Sequence, residues 1–323
     1  LEKRLRAGLP GHSKQEYGKN FAGCRARPAL TQVSKITLSI MSCKILLVLS
    51  STAMFAGASC FAQLKEPIHK TNDTARHSTY LTGLKKFYDE FNVDGMFVLY
   101  SLKNKQYTFY NPRLYGLPIS PASTFNILLT LIGLQEGVIR DEKSLLAPNN
   151  TTLEYAFKHN ADSCFISLSA LIGQKKIQYW LTKINYGNQS TAGEKSRFWI
   201  NGLLQITPEQ QLGFIQQLYR EELPFSKKAF SIVKKLMDET MNARLGIKIF
   251  GKRGSNKLYK ENKYTGNLYK DDSYNGWFVG YAEGASDIFF FVNYIRSPQL
   301  DHPTIVMAQK EIVFKIIKAL GIK

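Results

Sequence analysis

The segment Pro121-Ala122-Ser123-Thr124-Phe125-Asn126 runs straight into the apolar stretch Ile127 to Leu134. This places a serine at the mouth of a buried helix, where unpaired backbone N–H groups and the helix dipole favour negative charge. A serine there suits nucleophilic catalysis, because its alkoxide and the oxyanion of an acyl intermediate would both form beside those donors. The plainer reading is a helix N-cap, worth about 1 kcal/mol. A nucleophilic serine also needs a base. One turn later on the same face stands Asn126, whose amide takes no proton at neutral pH.

His159, beside Asn160, is a lone histidine near a helix break. That setting is more often structural or exposed than catalytic, and no metal-ligand spacing surrounds it. Neither a metal nor another cofactor is expected.

The chain has 323 residues, 44% hydrophobic and 12% aromatic, enough for one large domain or two modest ones with a real core. Of the net charge of +18, residues 1–62 carry +7, from nine Lys/Arg against Glu2 and Glu16. Within that stretch, residues 41–62 read as a secretory signal. Lys44 opens it, Ile45 to Ala58 is apolar, and cleavage would follow Cys60-Phe61-Ala62. The apolar run is short and rich in Ser, Thr and Gly, so no transmembrane anchor is expected after cleavage. Lipidation at Cys60, after Gly57-Ala58-Ser59, is the alternative. Residues 1–40 have no hydrophobic period and read as an upstream extension rather than a domain. The expected destination is an exported, oxidising compartment. There Cys164 would stand alone once the leader and its cysteines are removed, leaving no intramolecular disulfide.

The basic balance does not read as nucleic-acid binding. The lysines are scattered in pairs (Lys85-Lys86, Lys175-Lys176, Lys227-Lys228, Lys234-Lys235) without an arginine stripe or a nucleic-acid motif. A solvated surface with weak attraction to anionic envelope polymers fits better.

Residues 78–91 carry Leu81, Leu84, Phe87, Tyr88 and Phe91 at helical spacing. Gly95 to Ser101 and Gln106 to Tyr110 read as a hairpin. From Pro121 to about Asn242 the pattern is helical. Helices are expected to Gln135 with a stop near Gly137, from Leu153 with a break near Asn160, from Ile177 to Ile184, from Pro208 to Tyr219 behind Thr207 as N-cap, and from Lys227 to Thr240. Strands return at Ile247 to Gly251, Gly276 to Tyr281 and Ile288 to Tyr294, and Ile305 to Leu320 closes the chain as an amphipathic helix. The expectation is one antiparallel sheet formed from both chain ends, flanked by helices, with an inserted all-helical region. Active sites commonly lie where such parts meet.

Several strings in this order resemble the class D, oxacillinase-type, serine β-lactamases. They are Phe97-Val98-Leu99-Tyr100, Ser120 to Phe125, Leu134 to Ile139, Tyr186-Gly187-Asn188, Phe198-Trp199, Ile206 to Gln210, Leu223 to Ser226 and Gly276 to Tyr281. The resemblance covers residues 78–323. It implies an α+β, β-lactamase/transpeptidase-like fold and a single domain over 63–323. The helical region would run from about 120 to 244, and the α/β region from about 78 to 119 plus 245 to 323. The implied mechanism has the serine attack the lactam carbonyl while a carbamylated lysine in Ser-x-x-Lys acts as base. Ser-x-Val lines the site, and a Lys-Thr/Ser-Gly strand supplies a cation and binding for the substrate carboxylate.

Carried over residue by residue, the motifs are altered. Ser123 holds the nucleophile position and Asn126 that of the lysine. Counting back from Leu171-Ile172-Gly173 puts the second motif on Asn160-Ala161-Asp162, without its serine. The nearby Ser163-Cys164-Phe165 is out of register by three. Tyr264-Thr265-Gly266 mimics the third motif's ending, but Lys252-Arg253-Gly254 sits the right distance after Pro224-Phe225 and follows a strand. That choice makes 255–275 an enlarged polar loop. The 137–160 segment is short and lacks the Trp-Asp-Gly-like wall.

Asp162, where the family has Val, is either a substitute base acting with Asn126 or part of a polar cluster with Asn126 and Asn160. Lys252 and Arg253 would attract a carboxylate, or stand as exposed charges at a strand end. Trp199 matches a tryptophan beside the base, or is simply core. The resemblance and its departures lead to a class D β-lactamase-like penicillin-binding homologue, catalytically impaired or inactive, with a β-lactam or peptidoglycan-like carboxylate as ligand. The alternatives are a weak serine β-lactamase using Ser123 and Asp162, and a non-enzymatic envelope interaction module using the basic surface and the 255–275 loop.

Overall fold

Strand β2 (Asp94–Ser101) is apolar on both faces, and its alternation divides its side chains between two cores. Met96 and Val98 pack with the helical region, while Phe97 and Leu99 pack on the opposite face with Ile305, Ile312 and Ile316 of the C-terminal helix. In this computed structural model the described residues are 77–193, 196–200, 203–261, 268–297 and 302–323, all within one unit, Leu64–Lys323. The expected upstream extension, the leader with Cys60, and Tyr264-Thr265-Gly266 lie outside the described residues.

Besides β2, the sheet contains β1 (Ser78–Tyr80), β3 (Gln106–Tyr110), β6 (Lys248–Glu261), β7 (Leu268–Glu283) and β8 (Ile288–Ser297). Its order is β1-β3-β2-β8-β7-β6, so both chain ends build one six-stranded sheet. A small ribbon, β4 (Leu145–Leu146) with β5 (Thr151–Thr152), lies in the helical region. Helix α1 (Lys85–Asp89) and helix α9 (His302–Ala319) cover one face of the sheet. The other face meets α2 (Asn126–Gln135), α3 (Leu153–His159), α4 (Asp162–Ile172), α5 (Gln174–Lys183), α6 (Pro208–Arg220) and α7 (Lys227–Leu236). The short α8 (Thr240–Ala243) leads back to β6.

Helix α2 is the pillar of the helical region: Asn126 through Gly133 are all buried. A helix apolar all round has no amphipathic stripe and belongs in the middle. Helix α6 starts as expected, with Thr207 and Gln210 forming a capping box. Among the described residues no helix is long and apolar enough to cross a membrane.

Three expectations need correction. Residues 78–80 are a strand parallel to β3, followed by a 3-10 turn at Thr82–Leu84 and a helix of only five residues. Tyr80 stacks on Phe109 at 5.8 Å, and this cross-strand contact outweighs the helical spacing that begins at Leu81. The sheet is therefore antiparallel except for β1. The polar stretch 255–275 is not a loop in its described part. There β6 and β7 continue as a hairpin whose pairing reaches Glu261 and Leu268, beyond the last β8 partner at Tyr274.

Candidate functional site

Ser123 lies inside a 3-10 turn, Ala122–Phe125, that feeds α2. It is not an N-cap: its hydroxyl donates to Asp162 Oδ1 at 3.2 Å. Ala122, just before it, has φ +48°, a left-handed conformation that costs a side chain roughly 1–2 kcal/mol. Several bonds hold the turn in place. Trp277 Nε1 donates to the Ser120 carbonyl at 2.8 Å, Ser120 Oγ to the Trp199 carbonyl at 2.7 Å, and Gln211 Nε2 to Thr124 Oγ1 at 2.7 Å. Strain in such a turn survives only where the surroundings over-determine it.

The second element is the α3–α4 junction. Asn160 ends α3 at φ +53°, a left-handed position that asparagine tolerates better than most residues. Its side chain accepts from Lys252 Nζ and donates to the Arg253 carbonyl at 3.4 Å. Asp162 follows as the first residue of α4, where the helix N-terminus favours a carboxylate. The expected cluster of Asp162 with Asn126 and Asn160 does not form around Asn126. That side chain is fully buried, and neither amide atom has a hydrogen-bond partner among the described residues. An orphaned buried amide costs about 1–3 kcal/mol per group.

The third element is β6, which passes directly over the serine turn. A Cβ at Gly254 would sit 2.6 Å from the Thr124 amide nitrogen and 2.8 Å from that of Ser123. Glycine is required by this backbone approach. Lys252, only 3% exposed, donates to the Phe157 carbonyl at 2.7 Å and lies over the Phe157 ring at 4.6 Å. It is therefore not an exposed strand-end charge. Burial pushes its ammonium well below the usual lysine range; Arg253 and Lys310 add to the shift, while Glu239 and Asp162 oppose it. Arg253 is partly buried, which lowers its own pKa, and Glu239 counteracts this.

These elements enclose a cavity of about 210 Å³. Ser123, Asn160, Asp162 and Arg253 line it, together with His159, Ser255, Pro303 and Val306. Asn126, Lys252 and Gly254 sit behind this lining, and Trp199 is a core residue. Its indole packs 5.3 Å from Phe125 and 5.1 Å from Phe198, the packing expected of the core alternative. Among the described residues no group of His, Cys, Asp and Glu could hold a metal ion, and the thiol of Cys164 is free and buried.

Residues 98–318 match the family described as the penicillin binding protein transpeptidase domain. The chain belongs to that family. Among its relatives the probable beta-lactamase YbxI of Bacillus subtilis (strain 168) is 30% identical over 216 residues, covering 63% of this chain and 75% of that protein. The regulatory protein BlaR1 of Bacillus licheniformis is 28% identical over 76% of this chain, which spans only 40% of BlaR1. Among solved structures, a class D beta-lactamase from Sebaldella termitidis aligns with TM-score 0.66 and 27% identity, covering 76% of this chain and 99% of that one. The C-terminal domain of the Bacillus licheniformis BlaR penicillin-receptor aligns with TM-score 0.64 and 26% identity, covering 76% of this chain and 98% of that one. The transpeptidase-domain chain is thus homologous to class D β-lactamases in sequence and in fold.

Sequence reasoning missed half of the lining of this transpeptidase-domain cavity. Ser255 follows Gly254 along β6 and could have been added from the strand alone. A lone histidine near a helix break gives His159 no catalytic signal in the sequence, and no local signal in the C-terminal helix marks Pro303 or Val306 as facing a site.

The buried lysine makes a measurable prediction. Its pKa in the folded chain lies below its unfolded value, so between the two values the unfolded chain binds more protons. Stability therefore rises with pH from the lowered value up to 10.5, by at most ~1.4 kcal/mol per pH unit, and this group adds no slope outside that window. Lys252→Met is expected to flatten the rise without abolishing it, because burial also lowers Lys310. Urea midpoints at a series of pH values below 10.5 measure this; an unchanged slope would exclude Lys252 as its source.

Proposed function

We propose that this chain is a penicillin-recognising protein impaired in turnover. It presents Ser123 to a β-lactam or a peptidoglycan-like carboxylate ligand but lacks the base that would drive acylation and deacylation. Asn126 carries this reading. One turn after the serine, at the position that the class D resemblance gives to the catalytic lysine, stands a fully buried amide with no hydrogen-bond partner and no capacity to take a proton. General-base assistance is worth about 10²–10⁴ in rate, and its loss slows both the attack on the lactam carbonyl and the hydrolysis of the resulting ester. The Arg253 guanidinium at the cavity supports recognition of the ligand carboxylate. The relatives' descriptions include both beta-lactamases and a penicillin-receptor, and a chain that binds without turnover falls nearer the second. The leader-like residues 41–62 support action in the periplasm or cell envelope.

The test is incubation of the purified protein with nitrocefin and with a fluorescent penicillin, alongside Ser123→Ala. The expected result is slow, stable labelling that Ser123→Ala loses, with no nitrocefin hydrolysis. Brisk hydrolysis would overturn impairment. Failure of penicillins to label or to bind at all would overturn penicillin recognition.

A second reading rests on the hydrogen bond from Ser123 to Asp162 Oδ1 at 3.2 Å, which supplies a proton acceptor from a different helix. In that case the chain is a weak serine β-lactamase with Asp162 as base. Asp162→Asn should then abolish labelling of Ser123 and any slow hydrolysis. Labelling at the wild-type rate in Asp162→Asn rules this reading out.

A further inference from the structure

His159 lines the cavity beside Ser123, Asp162 and Arg253, yet no catalytic step described above uses it. Its ring is fixed in two ways. Nδ1 lies 3.0 Å from the Tyr155 carbonyl, and the imidazole stacks on the Tyr155 ring with centroids 4.0 Å apart and planes 20° from parallel. One ring face and one nitrogen are therefore occupied within α3, which leaves the second face and the Nε2 edge for a ligand. A ring held this way has little rotamer entropy left to lose on binding. From α9, the apolar side chains of Pro303 and Val306 also line the cavity. The volume, about 210 Å³, exceeds the ~150 Å³ of an apolar cavity that accepts benzene.

We propose that His159, backed by Tyr155, is a specificity-determining residue that, together with Pro303 and Val306, selects ligands carrying a flat aromatic group beside the reactive carbonyl. This rests on the penicillin-recognising reading and names its ligand class. The charged wall at Arg253 takes the carboxylate end of such a ligand, and the ring–apolar wall takes the substituent on the carbonyl side. Stacked or edge-on aromatic pairs are worth about 0.5–1.5 kcal/mol beyond area burial, which sets the expected discrimination at roughly 3- to 10-fold.

The experiment separates binding from acylation by using the Ser123→Ala protein and calorimetric titration of two penicillins. One carries a phenylacetamido side chain and the other an acetamido side chain. The expected result is a Kd at least about 3- to 10-fold lower for the phenylacetamido compound, with stacking on His159 supplying that factor and contact with Pro303 and Val306 adding to it. That preference should fall by roughly 3- to 10-fold when His159→Ala is added, leaving the share of Pro303 and Val306, and persist when His159→Phe is added. His159 is exposed, so both variants should keep the thermal unfolding of the parent. Equal affinity for the two compounds in the parent, or a preference unchanged by His159→Ala, overturns this inference and leaves penicillin recognition standing. Binding of neither compound overturns both.

Discussion

Combining Asn126→Lys with Asp162→Val is expected to raise the rate at which a fluorescent penicillin labels Ser123 by about 10²–10⁴-fold, the range that a positioned general base supplies. Asn126→Lys alone is expected to give far less. Asp162 accepts a hydrogen bond from Ser123 at 3.2 Å, so a lysine one turn after the serine would share its surroundings with a carboxylate. An opposite charge within about 4–6 Å favours the ammonium form, which has no lone pair with which to take the serine proton. Removing the carboxylate leaves desolvation as the dominant influence at a fully buried position, and desolvation favours the neutral amine. Gel-fluorescence time courses of wild type, both single variants and the double variant measure the effect. Equal rates for Asn126→Lys and the double variant would contradict the part given to Asp162.

The second large effect belongs to Gly254. A side chain there meets backbone atoms, 2.6 Å to the Thr124 nitrogen and 2.8 Å to that of Ser123, in a turn pinned by the Ser120 and Thr124 hydrogen bonds. Backbone cannot rotate away as a flexible side chain would. Gly254→Val is therefore expected to cost about 1–3 kcal/mol, with the melting temperature falling by roughly 2–4 °C for each kcal/mol. A displacement of about 1 Å at the nucleophile would further slow Ser123 labelling by ~10²-fold. Gly83→Ala is the control, because nothing lies within 4 Å of a Cβ there. Gly254→Val labelling at the wild-type rate with an unchanged melting temperature would show that β6 does not set the position of the serine.

Legibility in the sequence followed how local the physical cause was. The N-terminus of α6 could be read from Thr207, Pro208 and Gln210 because a capping box is made within four residues. The break at Asn160 could be read because a left-handed cap selects asparagine locally. The extension of β6 and β7 could not. Asn256 to Asn275 shows no apolar alternation, and past Tyr274 the described residues of the two strands pair with each other. The parallel strand at Ser78–Tyr80 was hidden for a related reason, since its partner Tyr107–Phe109 lies beyond an intervening strand.

At the site, the place of Ser123 at a turn-to-helix junction was legible, while Lys252-Arg253-Gly254 was reached only through the motif order that the class D resemblance implies. The inward anchoring of Lys252, the retreat of Trp199 into the core and the contribution of α9 each depend on contacts between distant segments. No short window of sequence encodes them.

The lining of the cavity comes from four separated stretches: Ser123, then His159 to Asp162, then Arg253 and Ser255, then Pro303 and Val306. No fragment of the chain holds all four walls, and partial unfolding of any one of them opens the pocket. On the proposed penicillin-recognising reading, ligand occupancy therefore reports that all four walls are in place at once. In a denaturant series occupancy should be lost at or before global unfolding, as soon as any one wall opens, so an early loss marks local opening and a coincident one a cooperative domain.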